Sequence, residues 1–292
     1  MRLTVRVPAS TANLGPGFDS FGLALALHDV IELEVTPSGL EVEVIDAGAG
    51  EMKGVPTDGT HLIVRALRRA CRVLDVDLPG VRLRCHNAIP HSRGLGSSAA
   101  AVVAGIAAGY ALAGRAIDDL ALQLAAEFEG HADNAAASLF GGFVVAWNSG
   151  GRFHAERLEP HAAIRPVVAI PSTRSSTREA RGLLPERVPL ADAAFSVSRA
   201  ALGVYAMTER PELLFTATDD RLHQAYRAPA YPDTARLVRT LREHGVAAAV
   251  SGAGPTVLAL TTTGILPEDV GVEGFDVTEL AIDPTGVHIT AR

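Results

Sequence analysis

Lysine is almost missing from this chain of 292 residues. Lys53 is the single lysine, and the other strongly basic residues are all arginines. Lys53 lies in "GEMKGVPTDG", a loop-like segment that matches neither a Walker-type phosphate loop nor the surroundings of a Schiff-base lysine. Any phosphate group that this protein binds must therefore be held by backbone amides, by arginine or by a metal ion.

Cysteine, long apolar runs and excess positive charge are also scarce. The two cysteines, Cys71 and Cys85, match neither a CxxC pair nor a disulfide framework, so we expect two free thiols in the core. The longest apolar run, "AAAVVAGIAAGYALAG", is too short for an easy membrane span and predicts a buried helix. The N-terminus lacks the apolar centre of a signal peptide. With a net charge of −7, these features predict a cytoplasmic protein without nucleic-acid or membrane partners.

The order of predicted elements indicates the fold class. Strands and helices do not alternate strictly, which favours an α+β fold over a doubly wound sheet. "DVIELEVTP" and "LEVEVIDA" alternate apolar and polar residues around "SG" and predict a hairpin. An alanine-rich stretch predicts a helix over about residues 97–113. "NSGGRFHAERLEPHA" is typical of a boundary, so we predict an N-terminal domain over 1–155 and a C-terminal domain over 156–292.

The segment "PHSRGLGSSAA", residues 90–100, places two glycines and two serines directly before the alanine-rich helix. A helix N-terminus carries partial positive charge and unpaired N–H groups, and glycines ahead of it let an anion approach the backbone. Gly94, Gly96 and the first helical amides can therefore cradle a diphosphate or triphosphate, and a serine hydroxyl can reach a phosphate-bound Mg²⁺. Spacing alone leaves open a plain glycine turn with serine as the helix cap.

As a whole, this segment resembles the phosphate-binding loop of the GHMP kinases, which bind ATP through backbone amides without a Walker lysine. "PASTANLGPGFDSFGLAL" (8–25) resembles their N-terminal substrate motif, in the form found in homoserine kinases. "SGAGPTVLAL" (251–260) resembles their C-terminal glycine loop. The three motifs stand in the family's order and span nearly the whole chain. The resemblance implies an α+β, two-domain GHMP kinase architecture, with a ribosomal S5 domain 2-like N-terminal domain and a ferredoxin-like C-terminal domain.

The resemblance also implies which residues hold ATP. They belong to the two glycine loops: Pro90, His91, Ser92, Arg93, Gly94, Leu95, Gly96, Ser97, Ser98, Ala99, Ala100, Gly252 and Gly254.

The homoserine kinase form of the motifs implies phosphorylation of the side-chain hydroxyl of L-homoserine, a step of threonine biosynthesis. An amino-acid substrate needs a carboxylate clamp, for which planar arginine is suited, and an acidic partner for its ammonium group. By resemblance, Arg181 and Arg227 clamp the carboxylate and Asp19 binds the amino group. Without the family pattern, either arginine alone would be interpreted as a solvated surface charge. The remaining substrate contacts that the resemblance implies are Asn13, His131 and Thr177.

"EFEGHADNAAASLFGG", residues 127–142, resembles the homoserine kinase segment for the metal and the acceptor. By resemblance Glu129 and Ser98 bind Mg²⁺, with Glu127 as the neighbouring rival, because residues two apart on a helix face different directions. Asp133 is the obvious base by type. Phosphoryl transfer through a loose transition state can depend mainly on positioning, however, so we predict that Asn134 orients the acceptor hydroxyl and that Asp133 has a structural role.

Two alternative functions remain at this point. One is a sibling kinase for another small alcohol, such as shikimate or a mevalonate derivative, although the paired arginines and Asp19 favour an amino acid. The other is a non-catalytic ligand sensor, although such proteins usually lose the metal carboxylate or the loop serines, and Glu129 and Ser98 are both present. Dimers are common among relatives of this kind, so a homodimer is a further expectation.

Overall fold

The computed structural model describes residues 1–50, 52–173 and 177–291, without the side chains of residues 177–179. In these ranges the strands are β1 (Arg2–Asn13), β2 (Gly17–Thr36), β3 (Gly39–Asp46), β4 (Gly80–Asn87), β5 (Phe143–Ser149), β6 (Arg152–Leu158), β7 (Arg165–Pro171), β8 (Ala247–Val250), β9 (Val257–Thr261), β10 (Phe275–Glu279) and β11 (His288–Ala291). The helices are α1 (Leu62–Val73), α2 (Ser97–Leu112), α3 (Asp119–Glu129), α4 (Asp133–Phe140), α5 (Thr177–Gly182), α6 (Leu190–Thr208), α7 (Leu214–Ala217), α8 (Gln224–Arg227) and α9 (Pro232–Glu243). None of the described helices is long and apolar enough to cross a membrane.

The first sheet has the strand order β11-β1-β2-β4-β3, and β5 and β6 extend it from β2. Helix α2 packs on β1 and is enclosed by α1, α3 and α4. An enclosed helix has no face for solvent, which explains why its sequence is apolar all round. The predicted helix over 97–113 is thereby confirmed, and Ser97 is its first residue.

The predicted hairpin between β2 and β3 is wrong. Strand β4 lies between them, antiparallel to β2 and parallel to β3. Helix α1 connects β3 to β4, as a parallel pair requires, because the chain must cross over before it can run in the same direction again. The alternation of apolar and polar residues identified both strands correctly. Such a pattern indicates which face of a strand is buried, but it does not indicate which strand pairs with it.

The second sheet is antiparallel and has the order β10-β7-β9-β8. Counted along the chain this order is 4-1-3-2, as in ferredoxin-like folds, and α9 packs on β8 and β9. The main buried cluster includes residues of both sheets, among them Val5, Leu23, Val168 and Leu258. Cys71 and Cys85 are free and buried, as predicted.

The division into domains 1–155 and 156–292 stays a prediction. The structure adds two facts that bear on it: residue 155 lies inside β6, and β11 returns from the end of the chain to pair with β1. The first sheet is therefore built from both ends of the sequence.

A buried carboxylate that is hydrogen-bonded to a histidine fastens this returning segment to β2. Asp283, which is 2% exposed, accepts hydrogen bonds from the backbone N–H groups of Thr285 and Gly286 and lies 2.7 Å from His28 Nε2. Burial alone would raise the pKa of Asp283, but the His28 and backbone hydrogen bonds outweigh it and lower the pKa from 3.8 to about 2. A carboxylate with a lowered pKa stabilises the fold at pH values above its unfolded pKa, and this contribution disappears as the pH falls through about 2.

We therefore expect Asp283→Asn to lower the free energy of unfolding at pH 7 by about 2 kcal/mol. Urea unfolding followed by circular dichroism at pH 7 and at pH 3 measures this, and the difference from the wild type should shrink at the lower pH. Asp276→Asn, at an exposed position on β10, is the matched control. Equal effects of the two substitutions at pH 7 would contradict the assignment.

Candidate active site

A cavity of about 670 Å³ lies between the N-terminus of α2 and the turn that joins β8 to β9. The predicted site residues that line it are Asn13, Asp19, His91, Ser92, Arg93, Gly94, Gly96, Ser97, Ser98, Glu129, His131, Asp133, Asn134, Arg181, Arg227, Gly252 and Gly254. Pro90, Leu95, Ala99 and Ala100 do not line it, and the last three are buried beneath the loop. The side chain of Thr177 lies outside the described part of the chain.

The loop before α2 has a backbone that few residues other than glycine adopt. Gly94 and Gly96 have φ values of +81° and +70°, in the left-handed region where a side chain is unfavourable. A Cβ on Gly96 would also overlap the Ser10 hydroxyl, and one on Gly94 would overlap backbone oxygens of the second glycine loop. Gly96 precedes α2 without any side-chain cap. The first N–H groups of α2 are thus available at the cavity, which is the condition for binding an anion.

The second glycine loop is fastened to the first. Ser251 Oγ donates to the Gly94 carbonyl at 2.5 Å and lies 2.8 Å from the Thr11 hydroxyl, from which it can accept. The Gly252 N–H donates to the Ala12 carbonyl at 3.0 Å, and Asn13 Nδ2 donates to the Gly252 carbonyl at 2.8 Å. These bonds join residues from the start and the end of the chain around the helix N-terminus.

Glu129 and Glu127 face different surroundings, as their spacing on α3 predicts. Glu127 forms an ion pair with Arg69 at 3.0 Å on an exposed surface. Glu129 lines the cavity, and its carboxylate accepts a hydrogen bond from the Ser98 hydroxyl. Burial raises the pKa of Glu129, and the bond from Ser98 opposes this rise. One carboxylate and one hydroxyl beside a phosphate-binding loop are hard oxygen donors of the kind that Mg²⁺ takes, with phosphate and water completing its shell.

Asp133 and Asn134 begin α4 and have different partners. Asp133 is 1% exposed, and its Oδ1 accepts hydrogen bonds from His131 Nδ1 and from the Asn134 N–H, both at 2.7 Å. Asn134 Oδ1 accepts from the Ser10 hydroxyl at 3.0 Å. Asn134 lines the cavity, and its Nδ2 lies 3.5 Å from Asp133 Oδ1, whereas the Asp133 carboxylate holds His131 and the helix N-terminus.

The charged end of the cavity contains Asp19, Arg181 and Arg227. Arg181 binds Asp19 through two parallel hydrogen bonds of 3.0 and 2.6 Å. The Phe18 ring lies 5.7 Å from the guanidinium carbon of Arg181 and 5.5 Å from that of Arg227. Two guanidinium groups facing one aromatic ring form a cationic wall that suits a carboxylate.

Arg227 is buried, and its position depends on a residue that the sequence analysis missed. Its Nη1 donates to His223 Nδ1 at 3.0 Å and to the Gly252 carbonyl at 3.2 Å. Since arginine can only donate, His223 Nδ1 accepts, and the ring proton lies on Nε2, which donates to the Gly15 carbonyl at 2.8 Å. Burial lowers the pKa of His223, which fits this neutral form. The spacing of four residues between His223 and Arg227 was the available signal.

Part of the cavity lining is apolar, and this part was also missed. It includes Val55, Pro56, Leu62, Ile63 and Phe128. An apolar surface of this kind can enclose the flat ring of a nucleotide base.

Known proteins match this chain along nearly its whole length. The model of the GHMP kinases N terminal domain matches residues 61–142, and that of the GHMP kinases C terminal matches residues 202–270. The homoserine kinase of Rhodococcus opacus (strain B4) is 51% identical over 303 aligned residues, covering 97% of this chain and 95% of that protein. That of Mycolicibacterium paratuberculosis is 53% identical over 287 residues, covering 94% and 90%.

The chain belongs to the homoserine kinases, within the GHMP kinases. As a member of this family, the protein is a phosphotransferase that uses ATP.

Solved structures of GHMP kinases share this fold. The crystal structure of homoserine kinase from Cytophaga hutchinsonii has a TM-score of 0.84 at 24% identity, covering 99% of this chain and 97% of that one. The structure of L. major mevalonate kinase in complex with R-mevalonate has a TM-score of 0.68 at 16% identity, covering 96% and 95%. The predicted α+β GHMP kinase fold is confirmed.

In this homoserine kinase, His223→Ala should raise the KM for the amino-acid substrate about tenfold and change kcat less than about threefold. The reason is that a hydrogen bond to a charged group contributes about 1.5 kcal/mol or more, and this one aligns Arg227, which we predict to bind the substrate carboxylate without reacting. The KM for ATP should not change. Steady-state kinetics measures all three constants.

His223→Gln should recover part of the lost affinity, because its amide can still accept from Arg227. His244→Ala, at the exposed position immediately after α9, is the matched control. A rise in the ATP KM as large as that for the amino acid would show a general structural defect instead.

Proposed function

We propose that this protein transfers the γ-phosphoryl group of ATP to the side-chain hydroxyl of L-homoserine, giving O-phospho-L-homoserine and ADP. The observation that supports this most strongly is the arrangement of one cavity. It brings together an anion-binding helix N-terminus, paired arginines with an aspartate, and a group of apolar side chains. A kinase for a small zwitterion needs these three parts in one cavity.

In this proposal the two glycine loops bind the phosphates of ATP through backbone N–H groups, and the apolar part of the cavity lining takes the base. Ser98 and Glu129 would hold Mg²⁺, which when bound neutralises charge on the transferring phosphates. Because lysine is absent from the described cavity lining, the loop amides carry a larger share of phosphate binding than in Walker-type enzymes.

The substrate would bind with its ammonium group at Asp19 and its carboxylate at Arg227 and Arg181. Asn134 Nδ2 would donate to the acceptor hydroxyl oxygen and orient it toward the γ-phosphorus. A bond forms between that oxygen and the γ-phosphorus while the bond between the γ-phosphorus and the β–γ bridging oxygen breaks. The hydroxyl proton is transferred to a phosphate oxygen or to water. Positioning of this kind suffices for a loose phosphoryl-transfer transition state.

The test is coupled ADP release with Mg·ATP, comparing L-homoserine with shikimate, mevalonate, galactose and L-threonine at equal concentration. We expect strong preference for L-homoserine. Preference for another alcohol would keep the kinase and overturn the assignment of the arginines. ATP binding without turnover of any of them would favour the ligand-sensor alternative.

A further inference from the structure

The two groups that the proposed function assigns to opposite ends of an amino acid are bound to each other. Asp19, near the start of β2, uses both carboxylate oxygens, and Arg181, on α5, uses both terminal nitrogens. The two residues stand 162 positions apart in sequence. Two parallel hydrogen bonds in this fork geometry are the strongest pairing available to an arginine and a carboxylate.

The pair is held in place and is still accessible. Asp19 has a left-handed φ of +54°, and its N–H donates to Asn13 Oδ1 at 3.0 Å, which fixes the loop that carries it. The side chains of Arg181 and Asp19 are 39% and 35% exposed, and both line the cavity. A ligand in the cavity therefore reaches both partners.

Arg227 differs from Arg181 in its described contacts. It is 2% exposed and donates to carbonyl oxygens and to His223, none of which carries a negative charge. A ligand carboxylate can approach Arg227 without displacing a hydrogen-bonded acidic group, although the charges of Asp19 and Asp220 act on it from nearby. At Arg181 the same carboxylate must compete with Asp19.

We propose that the Asp19–Arg181 pair selects for zwitterions, because an α-amino acid can open it by exchanging partners at both ends. This inference rests on the proposed function. The incoming ammonium group replaces Arg181 at Asp19, and the incoming carboxylate replaces Asp19 at Arg181, so both protein charges stay paired. A ligand with only one of the two charges leaves a protein charge without a partner, which is costly in a partly desolvated cleft. Hydroxy acids and amino alcohols are thereby rejected.

The exchange of partners leads to an unusual expectation. Removing the Asp19 carboxylate should improve the binding of a ligand that lacks the amino group. In Asp19→Asn, Arg181 is released for a carboxylate, and asparagine tolerates the left-handed backbone at this position. We expect 4-hydroxybutanoate, which lacks the amino group, to bind about threefold to fivefold tighter than to the wild type, the range of about 1 kcal/mol that such pairs contribute. L-Homoserine should bind at least tenfold weaker. Isothermal titration calorimetry of the full chain measures both affinities, and ATP binding by the same preparation checks the fold.

A double-mutant cycle separates exchange from simple removal of a negative charge. In the Arg181→Gln background, Asp19→Asn should no longer increase the affinity for 4-hydroxybutanoate, because there is no arginine at position 181 to be released from Asp19. A general electrostatic effect would persist, since Arg227 remains in the cavity. In the reciprocal measurement, 3-aminopropan-1-ol should bind tighter to Arg181→Gln than to the wild type, and this gain should disappear when Asp19 is also replaced.

The proposal is overturned if Asp19→Asn fails to tighten 4-hydroxybutanoate, or if the gain is equal in the Arg181→Gln background. Failure of the proposed function has a different signature, because the wild type would then not turn over L-homoserine. In that case, the affinities of the wild type, the two single variants and the double variant for 4-hydroxybutanoate still show whether the exchange of partners occurs.

Discussion

Replacing Glu129 with glutamine should lower kcat by about 10³-fold, equivalent to about 4 kcal/mol of transition-state stabilisation. Glu129 is the carboxylate that lines the cavity beside the phosphate loop and accepts a hydrogen bond from Ser98. Glutamine has nearly the same size and keeps an oxygen acceptor for Ser98, so the local packing should survive. What is lost is the negative charge that a divalent cation requires.

Glu127→Gln is the matched control, since it makes the same chemical change two residues earlier on the same helix. Its carboxylate pairs with Arg69 on the exposed side of α3, and exposed pairs of this kind contribute little. We expect its kcat to stay within about twofold of the wild type. Steady-state kinetics over a Mg²⁺ titration distinguishes the two variants, because Glu129→Gln should also weaken the apparent affinity for Mg²⁺. Similar losses of kcat in both variants would contradict the assignment of Glu129 as a metal ligand.

The sequence predicted the local parts of this site well because each depends on neighbouring residues. Glycines before an apolar helix indicate an anion-binding N-terminus wherever the chain places it, and α2 begins at Ser97 as the pattern requires. The different directions of Glu127 and Glu129 follow from helix geometry alone.

What the sequence did not predict depends on contacts between distant segments. The insertion of β4 between β2 and β3 is set by the crossover through α1, and the strand patterns carry no information about it. The pairing of β11 with β1 and of Arg181 with Asp19 joins positions far apart in the chain. His223 was overlooked because a lone histidine has many roles, and its role is evident only from its contacts with Arg227 and the Gly15 carbonyl.

Asn134→Ala should lower kcat about 10²-fold, whereas Asp133→Asn should lower it less than about tenfold. The physical reason lies in the hydrogen bonds of the two neighbours. Removing the Asn134 amide takes away the donor that would orient the acceptor hydroxyl. Ser10, which loses a partner at the same time, retains the Ser138 hydroxyl at 3.3 Å, so the fold should survive. In Asp133→Asn, the remaining carbonyl oxygen can still accept from His131 and from the Asn134 N–H.

The same pair of variants decides whether this active site contains a base. A general base contributes about 10² to 10⁴ to the rate, so if Asp133 removed the hydroxyl proton, Asp133→Asn would lose about 10³-fold in kcat with the L-homoserine KM unchanged. The described geometry favours the smaller loss, because Asp133 Oδ1 already accepts from His131 Nδ1 and from the Asn134 N–H in the first turn of α4, both at 2.7 Å. A carboxylate that holds a histidine and a helix N-terminus is poorly placed to collect a proton. Single-turnover measurements at saturating ATP and L-homoserine isolate the chemical step, and the ranking of the two variants there distinguishes catalysis by positioning from catalysis by a base.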